Sequence, residues 1–211
     1  MTTVANSIDR THAVFGAANR RPPPRAARTA RFSMGANGEI LRTADGSELM
    51  LRAIRPDDFA ALQRGFRNLS PEEVRMRFLH PLTDLVEPVA RTLCEVEPPY
   101  GVALVLIDPP SVREPEIHAV VRAYIDPTTL AAEFAIVVQR RFTGKGLGTL
   151  LMHRLIDTCR ERGAVELWGD VFLDNGAMLA LCDRLGFERH SQLYDPGIVR
   201  VRLDLTKPAI G

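Results

Sequence analysis

Lysine is almost absent from this chain. Of 27 basic residues only Lys145 and Lys207 are lysine, and the rest are arginine. Such a bias is what a genome's composition imposes, and no chemistry is read from it. Cysteine is scarce too. Cys94, Cys159 and Cys182 form no CxxC pair and sit in apolar segments. That excludes a disulfide framework and fits reduced core thiols in a cytoplasmic protein. Excess charge of either sign is missing, with a net charge of +1, so there is no global signature of nucleic-acid binding. No apolar run approaches the roughly 20 residues that span a bilayer.

What is present is ordinary globular material, 211 residues with 45% hydrophobic and 25% charged, enough for one core. The charge is uneven. Residues 1–38 hold six arginines against Asp9, together with Pro22-Pro23-Pro24 and few large apolar residues. This segment reads as a disordered tail, with an organelle transit peptide as the alternative. Residues 39–206 form the expected domain, and 207–211 a short C-terminal tail.

Within the domain, Glu39–Arg42 and Glu48–Ile54 read as strands around an Asp45-Gly46 turn. A helix starts near Pro56. Ser70-Pro71-Glu72-Glu73 is a capping box opening a second, and a third spans about 86–94. Strands follow at about 102–107 and 116–125. Later come a strand at 165–172, a short helix from Asn175 ended by Gly186, and strands at 187–193 and 198–205. That order predicts a single mixed α/β domain.

The chain centres on residues 131–163. Phe134-Ala135-Ile136-Val137-Val138 is a short β-branched run, hence a buried strand. Thr143-Gly144-Lys145-Gly146-Leu147-Gly148-Thr149 follows. Leu147, Leu151, Leu155 and Cys159 then repeat every four residues, as a helix requires. Strand, glycine loop and helix together make a phosphate site, because glycines admit close approach and the first helical amides lack partners. Neither nucleotide fingerprint fits: Lys145 precedes Gly146, and no glycine stands three residues after it. On the glycines alone, a phosphate cradle and a plain tight turn are both open.

Two blocks together resemble the GNAT acetyltransferase superfamily. They are Gly144-Lys145-Gly146-Leu147-Gly148 after a strand, and Asn175 through the helix to Leu185-Gly186-Phe187. Arg52-Ala53-Ile54-Arg55-Pro56, Arg77-Phe78-Leu79-His80-Pro81, Ala132-Glu133-Phe134-Ala135 and Leu167-Trp168-Gly169-Asp170 are similar to a narrower group. That group is the catalytic domain of bacterial protein lysine acetyltransferases acting on acyl-CoA synthetases. The resemblance implies a mostly antiparallel central sheet flanked by helices, with acetyl-CoA as co-substrate and no metal. It implies that amides from Gly144 to Thr149, Thr143 included in the loop, hold the pyrophosphate. The Ile136-Val137-Val138 edge would pair with the pantetheine and aim one N–H at the thioester oxygen. Arg140 and Arg141 would meet outer phosphates or simply solvate the turn. Asn175 would cap its helix or touch the pantetheine.

Glu133 is the implied general base. Among Ala131, Ala132, Phe134 and Ala135 its carboxyl should be desolvated and its pKa raised. Cys182 stands where relatives carry an acidic tyrosine, although a core thiol is the simpler reading. His80, His118 and Asp170 are weaker candidates, Asp170 as a receiver of the substrate amine. The expected reaction is direct acetyl transfer in a ternary complex to an amine, foremost a protein lysine such as one on an acyl-CoA synthetase. A small amine or aminoglycoside, or a non-catalytic acyl-CoA sensor, are the alternatives. Nucleic acid and membrane are not expected partners.

Overall fold

A computed structural model describes residues 38–43, 46–192 and 195–207. Residues 1–37 of the expected N-terminal tail, Asp45 of the first turn, Leu193 of the expected strand at 187–193 and residues 208–211 of the C-terminal tail lie outside them. Eight strands run in chain order: β1 Glu39–Arg42, β2 Glu48–Ala53, β3 Gly101–Ile107, β4 Ile117–Ile125, β5 Ala131–Val138, β6 Glu166–Phe172, β7 Glu188–Ser191 and β8 Ile198–Asp204. Among the described residues are five α-helices, α1 Phe59–Arg67, α2 Pro71–Phe78, α3 Glu87–Cys94, α4 Leu147–Glu161 and α5 Gly176–Arg184, and two short 3-10 turns at Pro56–Asp58 and Arg140–Phe142.

The strands form one sheet in the order β1-β2-β3-β4-β5-β6-β8-β7. Every pairing is antiparallel except β5 with β6. That parallel pair arises because α4 carries the chain back to the same end of the sheet. The expected strand at 187–193 is shorter, ending at Ser191.

Side chains alternate between two faces, and each face is covered. Ala132, Phe134, Leu167 and Val201 join one apolar core with Leu151, Met152, Leu155 and Cys159 of α4. Leu151 and Leu155 are fully buried, each contributing about 2 kcal/mol. On the other face Val105, Ile117 and Val120 pack with Ile54 and Ala61, and Phe66, Val74 and Leu93 close a third cluster among α1, α2 and α3. The three helices expected before the second strand pair thus cover that face.

Local signals explain the helix boundaries. Ser70 Oγ accepts from the Glu73 amide at 3.2 Å, and Glu73 Oε2 accepts from the Ser70 amide at 2.8 Å. Both arms of the capping box are thus made. Asp58 anchors α1 to the sheet. Its carboxylate accepts from Arg52 Nη1 at 2.6 Å and Nη2 at 2.7 Å, a buried two-pronged pair. Gly65 lets α1 touch β4, since a Cβ there would lie 2.1 Å from the Ile117 carbonyl oxygen. No helix among the described residues is long and apolar enough to cross a membrane.

Candidate active site

The sheet splits between β5 and β6. Their register runs Ala131 with Glu166, Ala132 with Leu167 and Glu133 with Trp168, and stops there. β6 continues to Phe172 on β8, while β5 continues to Val138 on β4. Phe134 lies against Gly169, where an added Cβ would come 2.8 Å from ring atom Cε1. Phe187 fixes that ring edge-on, with centroids 5.5 Å apart.

Beyond Glu133 one edge of β5 is left unpaired. The Gln139 amide donates to His118 O on β4 at 2.9 Å. Backbone groups alternate sides along a strand. The Phe134 amide closes the last rung with Trp168, and the amides of Ile136 and Val138 therefore point into the split. Val137 does the opposite: its amide faces β4, where it pairs with Val120. The expected Ile136-Val137-Val138 binding edge thus resolves into two residues that face the split and one that does not.

The loop after β5 ends in a bare helix terminus. Gly144 and Gly146 hold φ of 72° and 78°, and Gly146 caps α4 with no side chain bonded to the helix amides. Leu150 is the first amide used, donating to Gly146 O at 3.0 Å. The amides of Gly146, Leu147, Gly148 and Thr149 have no backbone acceptor among the described residues. Thr143 Oγ1 donates to Arg140 O at 2.8 Å, closing the preceding turn. Lys145 Nζ lies 5.3 Å above the Phe142 ring. Gly148 sits beside Val138 and Leu181, whose side chains would lie at 3.9 and 3.6 Å from its Cβ.

Glu133 lies on the face opposite α4, half-buried. Its register neighbours on that face are Tyr124 of β4 and Trp168 of β6. Burial, then the like charge of Asp170, raise its pKa from 4.5 to about 7, with Arg200 and Arg77 opposing. A carboxylate poised there is half-ionised near neutrality and suited to accept a proton. Asp170 itself is engaged: Arg200 Nε and Nη2 each donate to it at 2.8 Å, and Gln192 Nε2 at 3.0 Å. The expectation that Asp170 receives the amine therefore meets a carboxylate already held. Arg200 also stacks on Trp168, 4.1 Å from its ring centre.

Other expected residues fall elsewhere. Asn175 caps α5, its Oδ1 accepting from the Met178 amide at 3.1 Å. Cys182 is wholly buried, and burial pushes its thiol up to about 12. A thiol so shielded is core, as the simpler reading held. Arg141 donates to Glu116 Oε1, Gln139 Oε1 and His118 Nδ1, each at 3.0 Å, and so turns from the loop into a polar cluster. His118 Nε2 meets Asp108 Oδ1 at 2.7 Å within that cluster. His80 lies at the end of α2, its Nδ1 3.0 Å from Pro81 O.

Two residues near Glu133 escaped the sequence reading. Burial of its guanidinium and the nearby Arg122 pull Arg77 down to about 9, opposed by Glu133. Burial likewise lowers Arg122 to about 10. Arg122 lies opposite Ala135, on the Glu133 face. A signal existed: Arg122 interrupts the apolar run Ala119-Val120-Val121-Arg122-Ala123.

Solved structures share the fold. The GNAT domain of S. lividans PAT shares the fold at TM-score 0.69, with 22% identity over 79% of this chain and 96% of that one. The cAMP-binding acyltransferase from Mycobacterium smegmatis does so at 0.54, over 80% of this chain and 47% of that one, with 22% identity. In sequence the chain is 41% identical to the ribosomal protein bS18-alanine N-acetyltransferase of Salmonella typhimurium over 69 residues. That match spans 33% of this chain and 45% of the relative's length. It is 26% identical to the acetyltransferase PA5475 of Pseudomonas aeruginosa over 145 residues, 68% of this chain and 76% of that one. Residues 76–187, from within α2 through α4 to the end of the α5 segment, match the acetyltransferase (GNAT) family, and the chain belongs to that family.

Proposed function

We propose that this protein transfers an acetyl group from acetyl-CoA to a primary amine in the cytoplasm, with a protein lysine as the acceptor. One observation supports this most: β5 alone carries Glu133 and, from the point where β6 leaves it, the unpaired amides of Ile136 and Val138. The co-substrate supplies an activated thioester carbonyl. The chain's features fit it. Orphaned amides from Gly146 to Thr149 suit a pyrophosphate, with the positive end of the α4 dipole behind them. The Ile136 and Val138 amides suit the amide-rich arm, and one of them suits the thioester oxygen.

Glu133 would take the proton that an ammonium must lose before its nitrogen can attack. A carboxyl with a pKa of about 7 is ionised often enough at pH 7.5 to do so. The Cys182 thiol, at about 12 and buried, supplies no acid. The thiolate leaves unassisted, which thiols of ordinary pKa near 8.5 permit.

A second acceptor is favoured by a specific observation. The relative with 41% identity over 69 residues acetylates an alanine of a ribosomal protein. An α-amine has a pKa of about 8 against about 10.4 for lysine, so it needs less help from a base. The test is acetyl-CoA turnover by the full chain against folded acyl-CoA synthetase, an alanine-terminated ribosomal peptide and free polyamines. Modification of the synthetase on lysine supports the first reading. Preference for the peptide moves the assignment to α-amines, and preference for polyamines moves it to small molecules. Absence of acetyl-CoA binding would sink acetyl transfer altogether.

A further inference from the structure

The face that carries Glu133 also carries a pocket that no step above uses. It lies beneath α1, α2 and α3, over β4 and β5, with about 520 Å³ of empty space, part of it open to solvent. Leu62, Phe66, Phe78 and Val137 supply apolar wall, and Arg77 and Arg122 supply cations.

Those guanidiniums are underused. Arg122 Nη2 donates to Leu93 O at the end of α3. The Arg77 guanidinium lies 4.9 Å from the Phe78 ring centre, which satisfies none of its N–H groups. Nor are their nitrogens sealed away. Among the described residues the buried side-chain polar atoms without a partner are Arg52 Nε and Arg154 Nε, and neither belongs to this pair. The unbonded N–H groups therefore border space that a ligand can enter.

The local charge is unbalanced. Glu133 is the carboxylate that acts on Arg77, and near pH 7 it is ionised about half the time. Asp170, the next carboxylate, is held by both arms of Arg200. Two cations thus face less than one full negative charge, in surroundings that strengthen each interaction. Position also matters. Arg122 stands across from Ala135, between Glu133 and Val137 on the same face. An anion held there lies beside the base, with Val120 and Val137 beyond it as apolar floor.

We propose that Arg77 and Arg122 bind, at the end of the pocket nearest Glu133, a carboxylate carried on a short apolar stem whose reacting end lies at Glu133. Two sources share that chemistry: the far end of a dicarboxylic acyl group on the CoA thioester, or a carboxylate on the amine acceptor. The inference rests on the acyl-transfer reading of the site. In either case the amine nitrogen bonds the carbonyl carbon and the carbon–sulfur bond breaks. The thiolate departs with the electron pair, and Glu133 takes the amine proton.

Binding is measured first, without turnover, by calorimetry on the full chain with butanoate and with its neutral analogue butanamide. A charge-assisted contact predicts roughly tenfold tighter binding of butanoate or more. Arg77→Met and Arg122→Met remove that preference, and Arg77→Lys restores part of it. Circular dichroism and urea midpoints establish that each variant is folded. Two kinetic arms then separate the sources. A donor source predicts kcat/KM at least about tenfold higher for succinyl-CoA than for butyryl-CoA, with the ratio collapsing in Arg77→Met. An acceptor source predicts the same advantage for 4-aminobutanoate over butylamine with acetyl-CoA. Equal binding of butanoate and butanamide, or of neither, overturns the proposal. Preserved carboxylate binding with no transfer to any amine counts against the acyl-transfer reading instead.

Discussion

Replacing Glu133 with glutamine should damage catalysis and stabilise the fold at once. The wild-type carboxyl rises from 4.5 to about 7 on folding, chiefly through burial and then through Asp170. At about 1.36 kcal/mol per pKa unit, holding it ionised costs the folded state about 3 kcal/mol. Part of the side chain meets solvent, which screens the charge and brings the figure nearer 2 kcal/mol. The sign follows from linkage. Below pH 4.5 the group is neutral in folded and unfolded chains, and wild type and Glu133→Gln should match. Between pH 4.5 and about 7 the unfolded chain ionises while the folded one keeps its proton, so wild type loses stability across that window and levels off above it. By pH 8.5 the variant should be about 2 kcal/mol more stable in urea, or about 5 °C in melting temperature. Activity should move the other way. Wild-type kcat/KM should climb with pH to a midpoint near 7, and the variant should lose that limb with about 10²- to 10⁴-fold of rate. A variant that keeps wild-type turnover and the limb at pH 7 would refute the assignment of Glu133 as base.

The remaining predictions concern the groups that shape the same split. Asp170→Asn removes the like charge that helps raise Glu133 and frees Arg200 to act on it, so the ascending limb of the pH–rate profile should move to lower pH. Gly146→Ala forces a side chain into φ of 78° with no steric contact. It should cost about 1 kcal/mol in urea unfolding and weaken CoA binding in calorimetry, whereas Gly148→Ala should leave the fold unchanged. Gly169→Ala places a Cβ 2.8 Å from the buried Phe134 ring. Unfolding should show a loss of about 1–3 kcal/mol, and Phe134→Leu in the same chain should recover part of it.

Much of the architecture was legible because its signals are local. The capping box at Ser70 and Glu73 formed as read, and the four-residue spacing of Leu147, Leu151, Leu155 and Cys159 became the buried stripe of α4. Gly186, expected as a left-handed terminator, has φ of 83°. Arg141 was not legible. A loop arginine beside a glycine run suggests a phosphate, but Glu116 and His118, more than twenty residues earlier, draw it away. Asp170 misled for the same reason, since its partner Arg200 lies thirty residues on. Val137 was grouped with its neighbours because a run of apolar residues does not reveal which amides face β4.

The sequence by itself determined that strand, glycine loop and helix follow one another, and that Glu133 stands in apolar company. Those properties depend on neighbours within a few residues, where periodicity, backbone freedom and capping act. Only the tertiary structure decided that β5 parts from β6 after Glu133. At that point the ring of Phe134 packs against Gly169, far apart in the chain. It also decided that Asp170, Arg77 and Arg200 surround that glutamate, setting its pKa through charges that three separate elements deliver. Burial and electrostatics act through space, so the residue that can serve as a base was visible in the chain, while its poise near neutrality came from the fold.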